Sequence, residues 1–250
     1  MSATQQIRGL SLGNGHPKII VPIAAATEKD ILACAHNIAA HPSVDLAEWR
    51  ADHWEHGLDG QKSLSLLASL RHILQDKPLL YTFRTVREGG MKAISDAAYV
   101  RLCESAAASR HADLIDVEVF SPCAGECIRS VHAHGVSVVG SWHDFEQTPP
   151  EETLVSRFRH AQAMGADVLK IAVMANSKED AHTLLRAAQG FYTREAQRPM
   201  IAIAMGKEGM ESRIDPRRYA SCMSFGTLGA PSAPGQINVD TLHDRLYAKR

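Results

Sequence analysis

An ammonium taken out of water is costly unless it is paired or sheds its proton, so lysine is rare inside an apolar strand. The stretch "DVLKIAVMA", residues 167 to 175, nevertheless carries Lys170 in its middle. Of the nine lysines in the chain, this one alone interrupts an apolar run; Lys18 merely begins one. A desolvated lysine beside a second cation is held toward its neutral form, and a neutral amine attacks carbonyl groups. The competing reading is a lysine paired across the fold with Glu118 or Asp116. His143 lies near the end of the preceding apolar run, "VSVVGSWHDF" (136 to 145), with His53 in "WRADHW" as its competitor. Histidine moves one proton near neutral pH. An amine that forms an iminium and an imidazole that shuttles a proton define a reaction class: proton abstraction alpha to a ketone, then loss of a beta leaving group. The iminium itself is the electron sink, so such chemistry requires no cofactor.

Residues of this kind must be carried on a frame, and the frame is legible as period. Short apolar runs recur, each followed by a longer amphipathic segment. The strand candidates are "KIIVPIAA" (18 to 25), "LAEWRAD" (46 to 52), "PLLYTFR" (78 to 84), "LIDVEVF" (114 to 120), residues 136 to 145, "VLKIAVMA" (168 to 175), "PMIAIAM" (199 to 205) and "SCMSFGT" (221 to 227). Between them lie helical patterns such as "TEKDILACAHNIAAH", with Thr27 as N-cap, and "GQKSLSLLASLRHILQD". Further helices are expected over "SDAAYVRLCESAAASRH", "TPPEETLVSRFRHAQAMG", "SKEDAHTLLRAAQGFYTREA" and "NVDTLHDRLYAKR". Eight alternations fit an α/β fold of the closed (β/α)₈ barrel kind better than two Rossmann halves. No linker composition divides the chain, so residues 1 to 250 read as a single barrel domain. Residues 1 to 17, with "GLSLGNG" as the turn, are expected to form a short hairpin closing the barrel floor.

In a barrel, one parity of each strand points inward and the other meets the helices. Glu48, Arg50 and Asp52 share a parity, as do Asp116 and Glu118, and as do Ser141 and His143. Lys170 groups with Ala172 and Met174, while Leu169, Ile171 and Val173 take the other side. Arg84, His143 and Met205 close their strands, the end at which barrel enzymes place reacting groups. Burying so many interdependent charges generally costs more stability than it returns, which favours chemistry over simple filling of the core.

Composition narrows the classes. Lys plus Arg (27) nearly balances Asp plus Glu (28), with no basic run, so nothing points to nucleic acid. The first residues lack the build of a secretory signal and no run reaches a membrane span, so a cytoplasmic location is expected. The five cysteines are odd in number and scattered, and read as free thiols. None of the 13 histidines falls in a recognisable metal-binding pattern.

Seven stretches together resemble the type I 3-dehydroquinate dehydratases: "EWRAD" (48 to 52), "FRTVREGG" (83 to 90), "IDVEVF" (115 to 120), "SWHDF" (141 to 145), "KIAVM" (170 to 174), "MGKEGMESR" (205 to 213) and "SAPGQI" (232 to 237). The resemblance runs from about residue 17 to the C-terminus, in order and at the family's spacing. It implies a (β/α)₈ barrel, dimeric and without cofactor, that dehydrates 3-dehydroquinate to 3-dehydroshikimate in the shikimate pathway. It implies that Lys170 forms the Schiff base and that His143 moves the proton. Glu88 would orient His143, with Asp116 and Glu118 as alternative or supporting partners. Arg213 would clamp the substrate carboxylate, and Glu48, Arg50 and Arg84 would hold ring hydroxyls and balance charge. Ser232 and Gln236 would contribute from the last loop, and Met205 would line the pocket. The two loop stretches "MGKEGMESR" and "SAPGQI" suit a lid. Two departures stand out: Pro22 where many members carry a serine that touches the substrate, and Trp142 before the histidine. Other classes remain to be set against this one, a class I aldolase or transaldolase with a strand-six lysine, and a non-catalytic quinate sensor built on the same barrel.

Overall fold

A computed structural model of the chain describes residues 4–229 and 233–247. It opens with an antiparallel hairpin of β1 (Gln5–Ile7) and β2 (Leu10–Leu12). Eight parallel strands follow: β3 (Lys18–Ile23), β4 (Leu46–Arg50), β5 (Leu79–Thr82), β6 (Leu114–Glu118), β7 (Ser137–Asp144), β8 (Val168–Met174), β9 (Met200–Met205) and β10 (Met223–Thr227). The helices between them are α1 (Glu28–Ala40), α2 (Gly60–Leu74), α3 (Asp96–Ala108), α4 (Ala124–Ala133), α5 (Glu151–Ala163), α6 (Lys178–Arg194) and the single turn α7 (Glu211–Ile214). A two-residue strand β11 (Ile237–Asn238) and α8 (Val239–Tyr247) end the described chain.

The ladders run in order from β3 to β9, with β10 beside β3, as the alternation of strand and helix predicts. Closure between β9 and β10 rests on one bridge, Met200 to Ser221, rather than a full ladder. There the Cys222 N–H donates to the Met200 carbonyl at 2.7 Å. The Ser221 hydroxyl accepts from the Ala202 N–H at 2.8 Å and donates to the Ala202 carbonyl at 3.1 Å, standing in for the missing rungs. Elsewhere an aspartate just ahead of alternate strands stitches neighbours at the floor. Asp45 accepts the Ile19 N–H (2.7 Å), Asp113 the Leu79 N–H (2.8 Å) and Asp167 the Val138 N–H (2.9 Å).

Most helix starts follow from local capping chemistry. Thr27, Asp59, Ser95 and Ser177 each accept a backbone N–H of the first turn, the last as a reciprocal capping box with Asp180. Some elements differ from the sequence expectations. The helix α4, which periodicity did not single out, fills the return from β6 to β7. The strand expected to run to Asp52 ends at Arg50, because Ala51–His53 turns as a 3₁₀ helix. Arg84 lies two residues beyond β5 rather than at its end: the β5–β6 ladder stops at Tyr81 opposite Ile115, and the Arg84 N–H donates to Asp52 instead. The fully buried Tyr99 of α3 fills the resulting gap, its hydroxyl donating to the Asp116 carbonyl and accepting the Glu118 N–H.

The floor hairpin is present, but its turn is Arg8–Gly9, with Arg8 at φ 50, and "LSL" is its second strand. Ile7 and Leu12 project into the barrel against Ile20, Leu46, Val139 and Met223. Arg8 pins the hairpin from outside through Asp113 at 2.6 Å. The other parity of the strands, including Trp49, Tyr81, Val117 and Leu169, meets the helices in a second and larger apolar core. Leu12 is fully buried. Leu12→Ala should therefore cost about 2–5 kcal/mol, read as a lower denaturation midpoint at unchanged m-value.

Candidate active site

Above the apolar floor the inward positions turn polar. Glu48, Thr82, Asp116, Ser141 and Lys170 come first, then Arg50, Arg84, Glu118 and His143 toward the strands' C-terminal ends. Strand parity brings these side chains together as the sequence implies. The Lys170 ammonium, 5% exposed, lies 3.4 Å from Asp116 Oδ2 and 3.7 Å from Glu48 Oε1, above the Phe225 ring. Its immediate neighbours are thus two carboxylates, not the cation expected from sequence, and Glu118 is not one of them. Arg84 sits behind Asp116 and donates to it at 2.8 Å, so the nearest guanidinium is separated from the amine by an acid.

Arg84 is the hub. Its Nη1 also reaches Ser141 Oγ at 2.9 Å, Glu118 at 3.3 Å and Glu88 at 3.5 Å. Burial works against its charge, but Asp116, Glu88 and Glu118 outweigh burial and hold it firmly protonated. Burial likewise opposes ionisation of Asp116, yet Arg84, Lys170 and the Ser141 hydroxyl at 2.7 Å hold its carboxyl below the usual range.

Of the three carboxylates considered for His143, the fold selects Glu88. Its Oε2 accepts from His143 Nδ1 at 2.9 Å and from the His143 backbone N–H at 3.1 Å. Asp116 is engaged with Lys170 and Arg84, and Glu118 with Arg84 and Thr85. Glu88 ends a 3₁₀ turn (Val86–Glu88) capped by Thr85 and followed by Gly89 at φ 78. A Cβ on Gly89 would come within 2.5 Å of the Phe145 ring, which itself stacks beside the His143 imidazole. Glycine there lets the loop lie flat under Phe145. Burial, then Arg84, Lys170 and Arg50, push His143 well below the ordinary imidazole range. Burial pushes Glu88 up to about 8 against the pull of Arg84. Both groups are held toward their neutral forms across one short hydrogen bond. A hydrogen bond from Nδ1–H to Glu88 leaves Nε2 as the free base.

These groups border one cavity of about 160 Å³. Glu48, Arg50, Arg84, His143 and Lys170 line it together with Met205, Arg213 and Gln236, while Glu88, Asp116 and Glu118 stand behind the wall. Ser232 lies outside the described residues. Arg213, placed by sequence in a loop, is on the one-turn helix α7 and only 2% exposed. It donates to the Pro234 carbonyl at 2.9 Å, its Nε has no partner, and no acid pairs with it among the described residues. Burial alone lowers it to about 10. A buried guanidinium facing a cavity without a counter-ion awaits an anion.

Some contributors escaped sequence reasoning. Asp52, fully buried, grips Arg50 through two bonds of 2.9 Å and also accepts the Arg84 and Met91 N–H groups. Its parity with Glu48 and Arg50 and its place in "EWRAD" were the signals, but neither gave it a role. Phe225, Ile203, Met91 and Phe145 line the cavity as ordinary apolar residues with no chemical signature. His53 also borders it, 3.9 Å from Asp52 and lowered by burial and Arg50. Trp142 points outward and packs on Phe120 and Arg157, so this departure does not touch the cavity. Pro22 pairs with Glu48 across the β3–β4 ladder and is not among the lining residues.

Residues 19–250 match the model of the type I 3-dehydroquinase family. The chain belongs to this family. It is 40% identical over 246 residues to the 3-dehydroquinate dehydratase of Klebsiella pneumoniae strain 342, covering 98% of both chains. With the 3-dehydroquinate dehydratase of Bacillus velezensis it shares 43% over 249 residues, 96% of this chain and 95% of that one. The fold superposes on the type I enzyme of Clostridium difficile carrying covalently modified comenic acid, with a TM-score of 0.94 at 37% identity over 98% and 97% of the two chains. The 3-dehydroquinate dehydratase of Geobacillus kaustophilus HTA426 also gives 0.94, at 32% identity over the whole of both chains. Membership of the type I dehydroquinases decides against the aldolase reading, and the curated relatives that carry the likeness are named as dehydratases rather than sensors. Because Arg213 is a buried charge with no acid partner, Arg213→Met should stabilise the ligand-free protein by about 1–4 kcal/mol, measured by denaturant titration.

Proposed function

We propose that this type I dehydroquinase eliminates water from 3-dehydroquinate to give 3-dehydroshikimate through a Schiff base on Lys170. The observation that carries the reading is the shared cavity: the buried Lys170 amine and the His143 imidazole, a side chain 8% exposed, face it, with an uncompensated guanidinium beside them. Arg213 takes the substrate carboxylate in bidentate fashion and so orients the ring. Arg50, held rigid by Asp52, and Glu48, Arg84, Gln236 and Ser232 meet the hydroxyls.

Lys170 must lose a proton before it attacks the C3 ketone, and Asp116 and Glu48 are the acceptors placed to take it. Loss of water from the carbinolamine leaves an iminium, a cation that stays between the same two acids. His143 Nε2 then removes the C2 proton, and the electron pair moves into the iminium to form an enamine. The imidazolium, held by Glu88, returns that proton to the C1 hydroxyl, which departs as water from the same face. One shuttling base therefore gives a syn elimination. Hydrolysis of the conjugated iminium releases product and restores the amine.

Family resemblance further supports a cytoplasmic homodimer working in aromatic amino-acid synthesis. Among the described residues, no helix is long and apolar enough to cross a membrane.

Borohydride trapping separates the two roles. Lys170→Ala should lose turnover and the reduced adduct together, while His143→Ala should form the adduct yet stall by a factor of about 10²–10⁴; full activity in Lys170→Ala refutes the assignment. The pH profile offers a second check. The imidazole must be neutral to act, and its lowered pKa keeps it neutral to more acidic pH. The acid limb of kcat/KM should therefore fall below the ordinary histidine value of about 6.5.

A further inference from the structure

Glu118 is 1% exposed, does not border the cavity and does not touch His143, yet its carboxylate is saturated with donors. Oε1 accepts the Thr85 N–H at 2.8 Å and Arg84 Nη1 at 3.3 Å, and Oε2 accepts the Thr85 hydroxyl at 2.8 Å. Thr85 is the root of the turn that carries Glu88. Its hydroxyl oxygen accepts the Arg87 N–H at 3.2 Å, and its carbonyl accepts the N–H groups of Glu88 at 3.1 Å and Gly90 at 2.8 Å. Beyond Thr85 the segment has left the barrel ladders and is joined by a single bridge to Lys92. Asp52 holds the far side of the segment by accepting the Met91 N–H, and Lys92 donates to the Asp52 and Trp54 carbonyls. At the root of the 3₁₀ turn that carries Glu88, the anchor is the two-point grip of Glu118 on Thr85.

Resting on the reading of His143 as the shuttling base, we propose that Glu118 is a positioning residue for the elimination step. Through Thr85 it fixes the turn that delivers Glu88 to Nδ1 of His143, and so sets the tautomer and aim of the base without contacting substrate. A charge buried at this depth is otherwise a stability cost, and the geometry gives it a task. Imine formation at Lys170 involves a different pair of acids, Asp116 and Glu48, which meet this linkage only through Arg84.

The test is a double-mutant cycle between Thr85 and Glu88. Thr85→Val keeps the shape and removes the hydroxyl that links Glu118 to the turn. It should lower kcat by about 10²-fold, as misplacement of a catalytic group does, leave KM little changed, and leave the borohydride-trapped adduct intact. Thr85→Ser, which restores the hydroxyl, should recover most of that loss. Glu118→Gln, which keeps the shape but not the charge, should show the same loss of kcat with trapping preserved. In a Glu88→Gln background, itself slowed, Thr85→Val should cause no further decrease. An equal loss from Thr85→Val in both backgrounds, or adduct formation falling in step with kcat, overturns the proposal in favour of a general structural role. Unchanged kcat in His143→Ala would instead remove the assignment of the base, and this inference with it.

Discussion

The barrel mouth is governed by one constraint: charge placed out of water must be answered by charge. Arg84 meets it by reaching Asp116, Glu118 and Glu88, which lie on β6 and on the turn that faces β7. Asp116 in turn shares itself between Arg84 and Lys170. The groups are linked pairwise through Arg84 and Asp116, so removing Arg84 or Asp116 leaves a buried charge without its partner, a costlier result than replacing the whole set. Arg213 is the exception, and it faces the cavity. On the proposed function, the anion that answers it comes with the substrate.

This arrangement separates two demands on the fold. The floor, with Ile7 and Leu12 of the hairpin beneath Ile20, Leu46 and Met223, is a buried apolar cluster and supplies stability. Stability gained there allows the other end to hold ionised groups whose desolvation is unfavourable but whose geometry is fixed in advance. Lys170 stands at the boundary, with Val168 below it among the floor residues and the carboxylates beside it. On the proposed function, an iminium formed there would keep the counter-charges that the ammonium had, so that little reorganises as the reaction proceeds.

Much of this was legible before any coordinates. Period 2 against period 3.6 separated strands from helices, and strand parity alone gathered Glu48, Arg50, Asp116, Glu118, His143 and Lys170 to the inside, because alternation is a local property of extended backbone. Boundaries were less legible: Arg84 fell outside β5 because a long-range bond from Asp52 and the insertion of Tyr99 ended the ladder early. Nor could local pattern show that the link from β9 to β10 holds only a one-turn α-helix, which buries Arg213, and a 3₁₀ turn over Pro216–Tyr219.

The sequence by itself determined which residues face the barrel interior and that one amine would share it with an imidazole, His143 or its competitor His53, since both follow from backbone period and residue chemistry. Partnership was decided only by tertiary structure. Whether Glu88, Asp116 or Glu118 answers His143, and whether acids or a cation surround Lys170, depends on distances of an ångström or two between groups 32 to 122 residues apart. Those separations are set by strand tilt, by the turn rooted at Thr85 and by competition among acids for Arg84, none of which has a local signature in the chain.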